Sequence, residues 1–535
     1  MNREMASIGP EKRIRPQAAP DLRASDHARA ERIPGVFQLV LSLYIILSGD
    51  FPTLIQALAF GVQGGASNEF SLAMITGIAI SILQFLPLLI LGKHPLGVLH
   101  PLIIALIIWP VMTHAPEVIQ DWGGWIGVFA GSPVKVPAYL GLPGYTAGAV
   151  WTAIAKYNAL QILSLICIYA GFWALSARPN LSRAAIRMPS PAAVRQMMFA
   201  IVVVSLVVLV VFIRYRGGVN EHLTSLGRGR FVELAGLGPI LLIASFGAVA
   251  LYVWVAARPG DIKNPLFLAC LAAVTAGQFI GSGTRSGAFE VPLYIGLIWA
   301  MRRQRIPWKV ALILIPFMLA SIGLLGAMRS SMWYGSNADE TLSGATWSES
   351  MALTQHEIDN RQALSASVPV FERGYKLSGG PLFGYSYAAT VTTFVPRAFW
   401  PDKPRGVGSL YAQLFQGASF SGTTIPVGPQ AEMYWNFGLI GVVLLSLLYG
   451  VILRKVYHFH WRHYPSPFAA VFYVLMVTKF QFSSDRLVGL EQQVVLVILC
   501  YLAVALFIPP TVGVSAAAGN RNILRKRQPL GIRHP

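Results

Sequence analysis

Stretches of about 18 to 22 residues with almost no charge recur along this chain, and a helix of that length crosses the ~30 Å apolar core of a bilayer. No other feature of the sequence constrains the fold as strongly. Of the 535 residues, 54% are hydrophobic and only 12% are charged, which is too apolar for a soluble protein of this size. The sequence therefore predicts an all-α polytopic membrane protein.

The positions of these stretches predict about twelve transmembrane helices. Their bounds are 36–60, 70–91, 96–113, 156–176, 196–213, 237–257, 265–282, 286–300, 310–328, 433–453, 468–482 and 491–510. The domains that follow are a disordered tail (1–35), nine spans (36–328) with an extracytoplasmic loop at 114–155, a large cap loop (329–432), three further spans (433–510) and a basic tail (511–535).

The short connections between the spans set the predicted orientation, because Lys and Arg are retained on the cytoplasmic side. The segments 177–195, 301–309 and 454–467 are rich in Lys and Arg and contain no acid. Both termini are therefore expected in the cytoplasm and the cap loop outside it. The formal charge of +19 follows this asymmetry, so it does not indicate nucleic-acid binding.

The three cysteines, Cys167, Cys270 and Cys500, all lie within apolar stretches. A thiol in such a place usually behaves as a small hydrophobic group. Their positions predict neither a disulfide framework nor a metal site.

The cap loop has the composition of a folded domain, because it contains many Trp and Phe residues. Thr346 and Glu349 have the spacing of a capping box ahead of the helical sequence SESMALTQHEIDNRQALSA (348–366). Long loops are usually functional or disordered. We therefore expect a partly helical cap on the outer face of the membrane.

Several cations lie on the outer side, where the positive-inside bias disfavours them. Arg285 lies in the turn GSGTRSG (281–287), and Arg397 lies in the run FVPRAFWPDKP (394–404). The planar guanidinium group binds phosphate oxygens with two parallel N–H donors. The candidates for binding a phosphate-bearing ligand are Arg285, Arg329, Arg397, Lys403, Arg405 and Arg486. The simpler explanation is that they contact lipid headgroups or nearby acids, such as Asp485 beside Arg486.

The run FVPRAFWPDKP, the segment AEMYWNFGLIG (431–441) at the next predicted span, and the GTRSG turn together resemble the bacterial oligosaccharide repeat-unit polymerases, or O-antigen polymerases. The resemblance covers residues 265 to 500 and includes the single large late loop. It implies a GT-C-type glycosyltransferase of the bacterial inner membrane, with its active site facing the periplasm.

The resemblance implies transfer of a growing glycan from its polyprenyl diphosphate carrier to the non-reducing end of a new lipid-linked repeat unit, without metal or other cofactor. Arg285 matches the arginine of the family's turn, Arg397 the Pro-Arg before Trp-Pro-x-Lys-Pro, and Glu432 the acid before Tyr-x-Asn-Phe-Gly. Arg486 departs from the pattern, since Leu487 stands where the family tends to have glycine. The implied partners are lipid-linked donor and acceptor, bilayer lipid, a chain-length regulator and a flippase.

Transfer also needs a base that takes the proton of the acceptor hydroxyl. Glu432 is the expected catalytic base, because it joins the cap to a span and so lies at the membrane surface. His356 is the second candidate, since an imidazole titrates near neutral pH. The other acids considered are Asp50, Glu290, Asp402 and Asp485. The alternative for Glu432 is that it pairs with an arginine or caps the following helix.

Three other functions stay open at the level of sequence. A ligase that transfers the glycan from the same carrier to a lipid core would share these residues. A lipid-linked oligosaccharide flippase, or another transporter, would line a central cavity with its arginines, whereas the predicted spans contain almost no charge. A noncatalytic assembly protein with an outer cap would keep its effect on the polymer when a single arginine is replaced.

Overall fold

The computed structural model describes residues 68–91, 99–108, 146–174, 190–233, 237–282, 285–303, 363–395, 399–400, 402–417, 424–425, 427–464 and 466–508. All regular secondary structure within these ranges is helical. The helices of seven or more residues are α1 (Asn68–Leu91), α2 (Ala147–Ala174), α3 (Pro191–Tyr215), α4 (Val219–Glu233), α5 (Gly238–Ala257), α6 (Pro265–Ser282), α7 (Arg285–Arg303), α8 (Ala363–Ser378), α9 (Tyr385–Val391), α10 (Val407–Gln416), α11 (Pro429–Arg462), α12 (Pro467–Lys479) and α13 (Ser484–Phe507).

Six of the described helices are long and apolar enough to cross a membrane, namely α2 from Trp151 onward, α3, α5, α6, α11 and α13. Each coincides with a predicted span. Helices α1, α7 and α12 also occupy predicted spans but are not among the six. The predicted spans 36–60 and 310–328 lie outside the described residues, and 96–113 is described only at 99–108. An α-helical multi-pass membrane protein is thus confirmed, while the number twelve stays a prediction.

Proline and small polar residues explain where several helices begin. Proline is favourable at the first helical position, because its missing N–H would have no partner inside the helix. At the start of α3, the Ser190 hydroxyl accepts a hydrogen bond from the N–H of Ala193 at 3.2 Å. Helix α11 begins at Pro429 rather than at residue 433, so the cap ends earlier than predicted.

Helices α2 and α11 pack closely because small residues lie at their contact. A side chain at Gly450 would collide with the backbone carbonyl of Ile168. One turn earlier on both helices, the hydroxyls of Ser164 and Ser446 are hydrogen-bonded at 2.8 Å. Small residues let helix backbones approach closely in membrane proteins. The order of these contacts makes the two helices parallel, which agrees with the prediction that both spans enter from the same side.

The bundle has two chemically different ends. The basic end carries Arg258, Lys263, Arg302, Arg303, Arg454 and Lys455. Its one described acid between α5 and α6, Asp261, accepts a hydrogen bond from Trp254 Nε1 at 2.9 Å and lies 3.6 Å from the Arg258 guanidinium. The loop end comprises the described residues between 363 and 432, residues 479–490 and the first turn of α7. These two ends correspond to the sides that the sequence predicts as cytoplasmic and outer.

The cap is helical where it is described, through α8, α9 and α10. The helix predicted at 348–366, with its capping box at Thr346 and Glu349, lies mostly outside the described residues. Helix α8 is tied to the start of α11 by the N–H of Gly428, which donates to Ser367 Oγ at 2.9 Å. The cap is therefore packed on the ends of the spans.

Candidate functional site

Helix α11 is broken at Gly438, at the loop end of the bundle. This residue has φ 67° and ψ −159°, a conformation that residues with a Cβ atom rarely adopt. The three carbonyls at 434–436, just before the break, accept hydrogen bonds from the cap. Their donors are the Tyr375 hydroxyl (2.6 Å), Leu382 N (3.0 Å) and Phe383 N (3.0 Å). The cap segment 375–384 thereby completes the broken helix.

Glu432 lies in the short first part of α11 and is fully buried, at 0% exposure. Its Oε1 accepts a hydrogen bond from Ser386 Oγ at 2.6 Å, and its Oε2 accepts one from the N–H of Ser484 at 3.0 Å. Ser386 belongs to α9 in the cap, whereas Ser484 is the first residue of α13. Because a negative group is favourable at a helix N-terminus, Glu432 caps α13 and holds it to the cap. The capping alternative for Glu432 is thus realised, but on α13 rather than on α11.

Asn436 completes the same network. Its Nδ2 donates to Ser386 Oγ at 2.8 Å and to the carbonyl of Glu432 at 2.9 Å, while its Oδ1 accepts from the N–H of Gly384 at 3.0 Å. We call the four residues Ser386, Glu432, Asn436 and Ser484 the Glu432 hub. All four are fully buried or nearly so. A buried polar network in which every member is bonded fixes its surroundings rigidly.

Asp485 follows the hub residue Ser484 at the loop end; the residue reaches the surface, while its two carboxylate oxygens lie against the cap backbone at Gly406 and Gly408. Its Oδ2 accepts a hydrogen bond from the N–H of Gly408 at 3.2 Å, while the Ser484 hydroxyl accepts one from Val407 N at 2.9 Å. A Cβ atom at Gly408 would lie 2.6 Å from Asp485 Oδ2 and 2.7 Å from the carbonyl oxygen of Ile425, so only glycine fits between them. The hub and the start of α10 therefore hold an accessible acid in a defined place.

Tyr387 packs beside the hub, and its hydroxyl donates to the carbonyl of Phe482 at 2.9 Å. Burial raises the pKa of this phenol well above its usual value, and the neighbouring charge of Glu432 raises it further. Tyr387 therefore stays protonated and acts as a hydrogen-bond donor that ties α9 to the segment before α13.

The predicted cations are distributed unevenly around this site. Arg329, Arg397 and the second base candidate His356 lie outside the described residues. Helix α6 ends at Ser282 and Arg285 begins α7, which confirms a helix on each side of the predicted turn. Arg285 is thus placed at the loop end by its backbone.

The three other predicted cations lie within the described cap or beside the hub. Arg486 is exposed next to Asp485. Arg405 donates from its guanidinium to Gln413 Oε1 at 3.2 Å. The Lys403 ammonium donates to the carbonyls of Thr392 (3.3 Å) and Val395 (3.0 Å), so it holds the loop that follows α9, a role that the sequence did not predict.

The structure also contains an ion pair between two helices that the sequence analysis did not predict. Lys479 Nζ, in the last turn of α12, lies 2.7 Å from Glu290 Oε2 of α7, and both side chains are largely buried. The ammonium also lies 5.6 Å from the ring centroid of Tyr294. Glu290, considered above as a base, is therefore engaged with a cation. The signal in the sequence was a lone lysine inside the predicted span 468–482.

Among the residues that the structure describes, no group of three or more His, Cys, Asp and Glu side chains is arranged to bind a metal ion. Comparison of the chain with family models, with curated proteins and with solved structures finds no match.

Proposed function

We propose that this chain polymerises oligosaccharide repeat units carried on polyprenyl diphosphate, as in O-antigen or exopolysaccharide synthesis. It would transfer the growing glycan to the non-reducing end of a new lipid-linked repeat unit. In this proposal the protein lies in a bacterial inner membrane, with both termini in the cytoplasm and the loop end facing the periplasm. The proposal is supported by the resemblance in the cap and α11, and by the chemistry of the loop end.

The observation that carries the proposal is the exposed acid–cation pair of neighbours, Asp485 and Arg486, at the end of a span that the buried Glu432 hub fixes to the cap. A lipid-linked substrate keeps its diphosphate at the membrane surface, and the proposed topology would put these two residues at that level. Arg285 begins a helix at the same end, and Arg405 lies in the cap above it.

The reaction breaks the bond between the anomeric carbon and the diphosphate oxygen, and the electron pair leaves with the diphosphate. The acceptor hydroxyl oxygen forms the new bond to the anomeric carbon and gives its proton to a base. Arginines placed beforehand stabilise the charge that develops on the diphosphate. We assign this part to Arg285, Arg397 and Arg486, with Arg405 and Arg329 as further candidates.

The hydrogen bonds inside the hub decide which acid we assign as the base. A base must come within hydrogen-bond distance of the hydroxyl that it deprotonates. Both oxygens of Glu432 are bonded inside the protein, whereas Asp485 is exposed, so we assign the base to Asp485. Glu432 then positions Asp485 by capping the helix that carries it. His356 stays a prediction.

The test uses protein purified into nanodiscs and supplied with a lipid-diphosphate repeat unit. We expect a ladder of products that differ by one repeat, with no effect of EDTA. Asp485→Asn should abolish the ladder, whereas Asp402→Asn, at another exposed acid of the loop end, should leave it unchanged. A single transfer onto an added lipid core, without a ladder, would identify a ligase. Absence of any covalent product would contradict both enzymes.

A further inference from the structure

Large apolar side chains are exposed together on the part of the cap that follows Leu382. They are Phe383 (79% exposed), Tyr385 (44%), Val391 (82%), Phe394 (52%), Phe399 (83%) and Trp400 (43%). We call this set the aromatic patch. A soluble domain rarely leaves so many neighbouring apolar side chains in water, and such surfaces mark sites of interaction with protein or membrane.

The exposed position of Phe383 requires a strained backbone conformation at that residue. Phe383 has φ 47°, and it is the one residue other than glycine with positive φ in the described part of the chain. A bulky residue in this region is strained, and strain of this kind persists where the surrounding structure imposes it. Here the Phe383 N–H is held by the carbonyl of Asn436 at 3.0 Å. The exposed ring is therefore fixed in place by the broken helix.

The patch is continuous with a lipid-facing stripe on α11. Exposed apolar residues recur at helical spacing after the break, at Ile440 (72%), Leu444 (58%) and Leu448 (45%), and Phe437 (40%) is exposed just before it. The Phe437 ring stacks on Tyr387 of α9, with 6.1 Å between centroids and 4° between planes. The cap and the stripe therefore form one apolar surface that passes from the span onto the loop end.

We propose that the aromatic patch docks on the bilayer itself, with residues 383–395 and 399–400 lying in the interfacial region of the outer leaflet. Aromatic residues are enriched at this depth, and amphipathic segments bury their apolar faces there. The Lys403 ammonium donates hydrogen bonds to the carbonyls of Thr392 and Val395 and so holds the loop after α9 in place. A lysine ammonium is favourable at the level of the lipid headgroups. The docking requires the membrane and not the transfer reaction, so it can fail or hold independently of the proposed function.

The experiment places a bimane fluorophore on single cysteines at 399 and 391. Cys167, Cys270 and Cys500, which are buried and unbridged, are first replaced by alanine. A label at Gln413, exposed on α10 of the same cap, is the aqueous control, and a label at Leu444 on the stripe is the lipid control. The proteins are reconstituted in vesicles of phosphatidylethanolamine and phosphatidylglycerol. Quenching is measured with nitroxide-labelled lipid and, separately, with iodide.

We expect the nitroxide lipid to quench the labels at 399 and 391 at least about twofold more than the label at 413, and iodide to do the reverse. Iodide quenching at 399 and 391 equal to that at 413 would overturn the proposal, because the patch would then face water. Protection from both quenchers would also overturn it, since another segment of the chain or a second copy would then cover the surface. Loss of lipid quenching when polyprenyl diphosphate is added would assign the patch to the substrate's own chain instead.

Discussion

Replacing Glu432 by glutamine should loosen the cap, because the hub depends on an acceptor at both carboxylate oxygens. Glutamine keeps one acceptor but turns an N–H toward the other donor, so one of the two bonds, to Ser386 or to Ser484, is lost. Loss of a buried hydrogen bond to a charged group, with its partner left unsatisfied, costs about 2 kcal/mol. Since each 1.4 kcal/mol is a tenfold change, the open form of the cap should become about 30-fold more populated.

The assay is native-state proteolysis in nanodiscs, because trypsin cleaves the folded cap only when it opens. Cleavage after Lys376 in α8 and after Arg405 is followed by mass spectrometry, and its rate should rise by about 30-fold in Glu432→Gln. The matched control is Glu372→Gln in α8, where the acid lies 3.5 Å from the well-exposed Lys156. The Glu372 side chain is 16% exposed but its partner Lys156 is 58% exposed, so solvent screens the pair. Such a pair contributes about 1 kcal/mol at most, and this change should raise the rate by less than about fivefold.

A double variant refines this test. Ser386→Ala removes the bond to Glu432 and the one accepted from Asn436. Because Ser386 and Glu432 belong to one network, the effects of Ser386→Ala and Glu432→Gln should not sum in the double variant. Equal cleavage rates in Glu432→Gln and Glu372→Gln would refute the reasoning, because the hub would then not hold the cap.

Further predictions concern the site and the topology. Arg285→Lys and Arg397→Lys keep the charge but lose the paired N–H donors, so each should lower polymer yield at least about tenfold at normal protein level. Arg521→Lys in the basic tail, the control, should leave the yield unchanged. Full activity in both of the first two variants would mean that neither arginine binds diphosphate. Gly406→Ala would place a Cβ atom 2.5 Å from Asp485 Oδ1, with no backbone atom among its nearest neighbours, so it should displace the carboxylate and lower kcat while the trypsin rate stays near that of the wild type; an unchanged kcat would separate Asp485 from the reaction. An impermeant maleimide should label cysteines at the two ends of the bundle from opposite sides of the membrane, and labelling from one side would contradict the topology. The exposed positions for these cysteines are Gln413 and Lys455.

The sequence predicts the described spans well because hydropathy and proline determine them locally. The predicted spans 237–257 and 265–282 agree with Gly238–Ala257 and Pro265–Ser282 to within one residue. The turn before Arg285 follows from the same local signals. Helix α4 was expected only as an outer connection, since its sequence is polar and its helical form depends on packing against neighbours.

The break in α11 could not be predicted from the sequence. A glycine inside an apolar run is compatible with a continuous helix, and a break there is favourable only if other segments donate to the freed carbonyls. Those donors come from Tyr375, Leu382 and Phe383, far along the chain from Gly438. The role of Asn436, whose amide bonds Gly384 and Ser386, is hidden for the same reason.

For Glu432 the sequence predicts the position in the chain but not the contacts. Its place between cap and span was predicted, and the structure bears this out. Its partners are 46 and 52 residues away, at Ser386 and Ser484, and the sequence gives no sign of either contact. An acid at a predicted membrane surface suggests an accessible base, whereas full burial follows from tertiary packing. Asp485, which reaches the surface as Asp402 also does, was one of several equal candidates.

The direction of chain growth tests the proposed polymerase most directly. Purified protein in nanodiscs receives radiolabelled lipid-diphosphate repeat units, then an excess of unlabelled units, and the products are trimmed from the non-reducing end by an exoglycosidase. Transfer of the growing glycan onto each new unit leaves the oldest sugars at the non-reducing end, so the label should be released first from every member of the ladder. Release of the label last, or the absence of products longer than one repeat, would contradict the account.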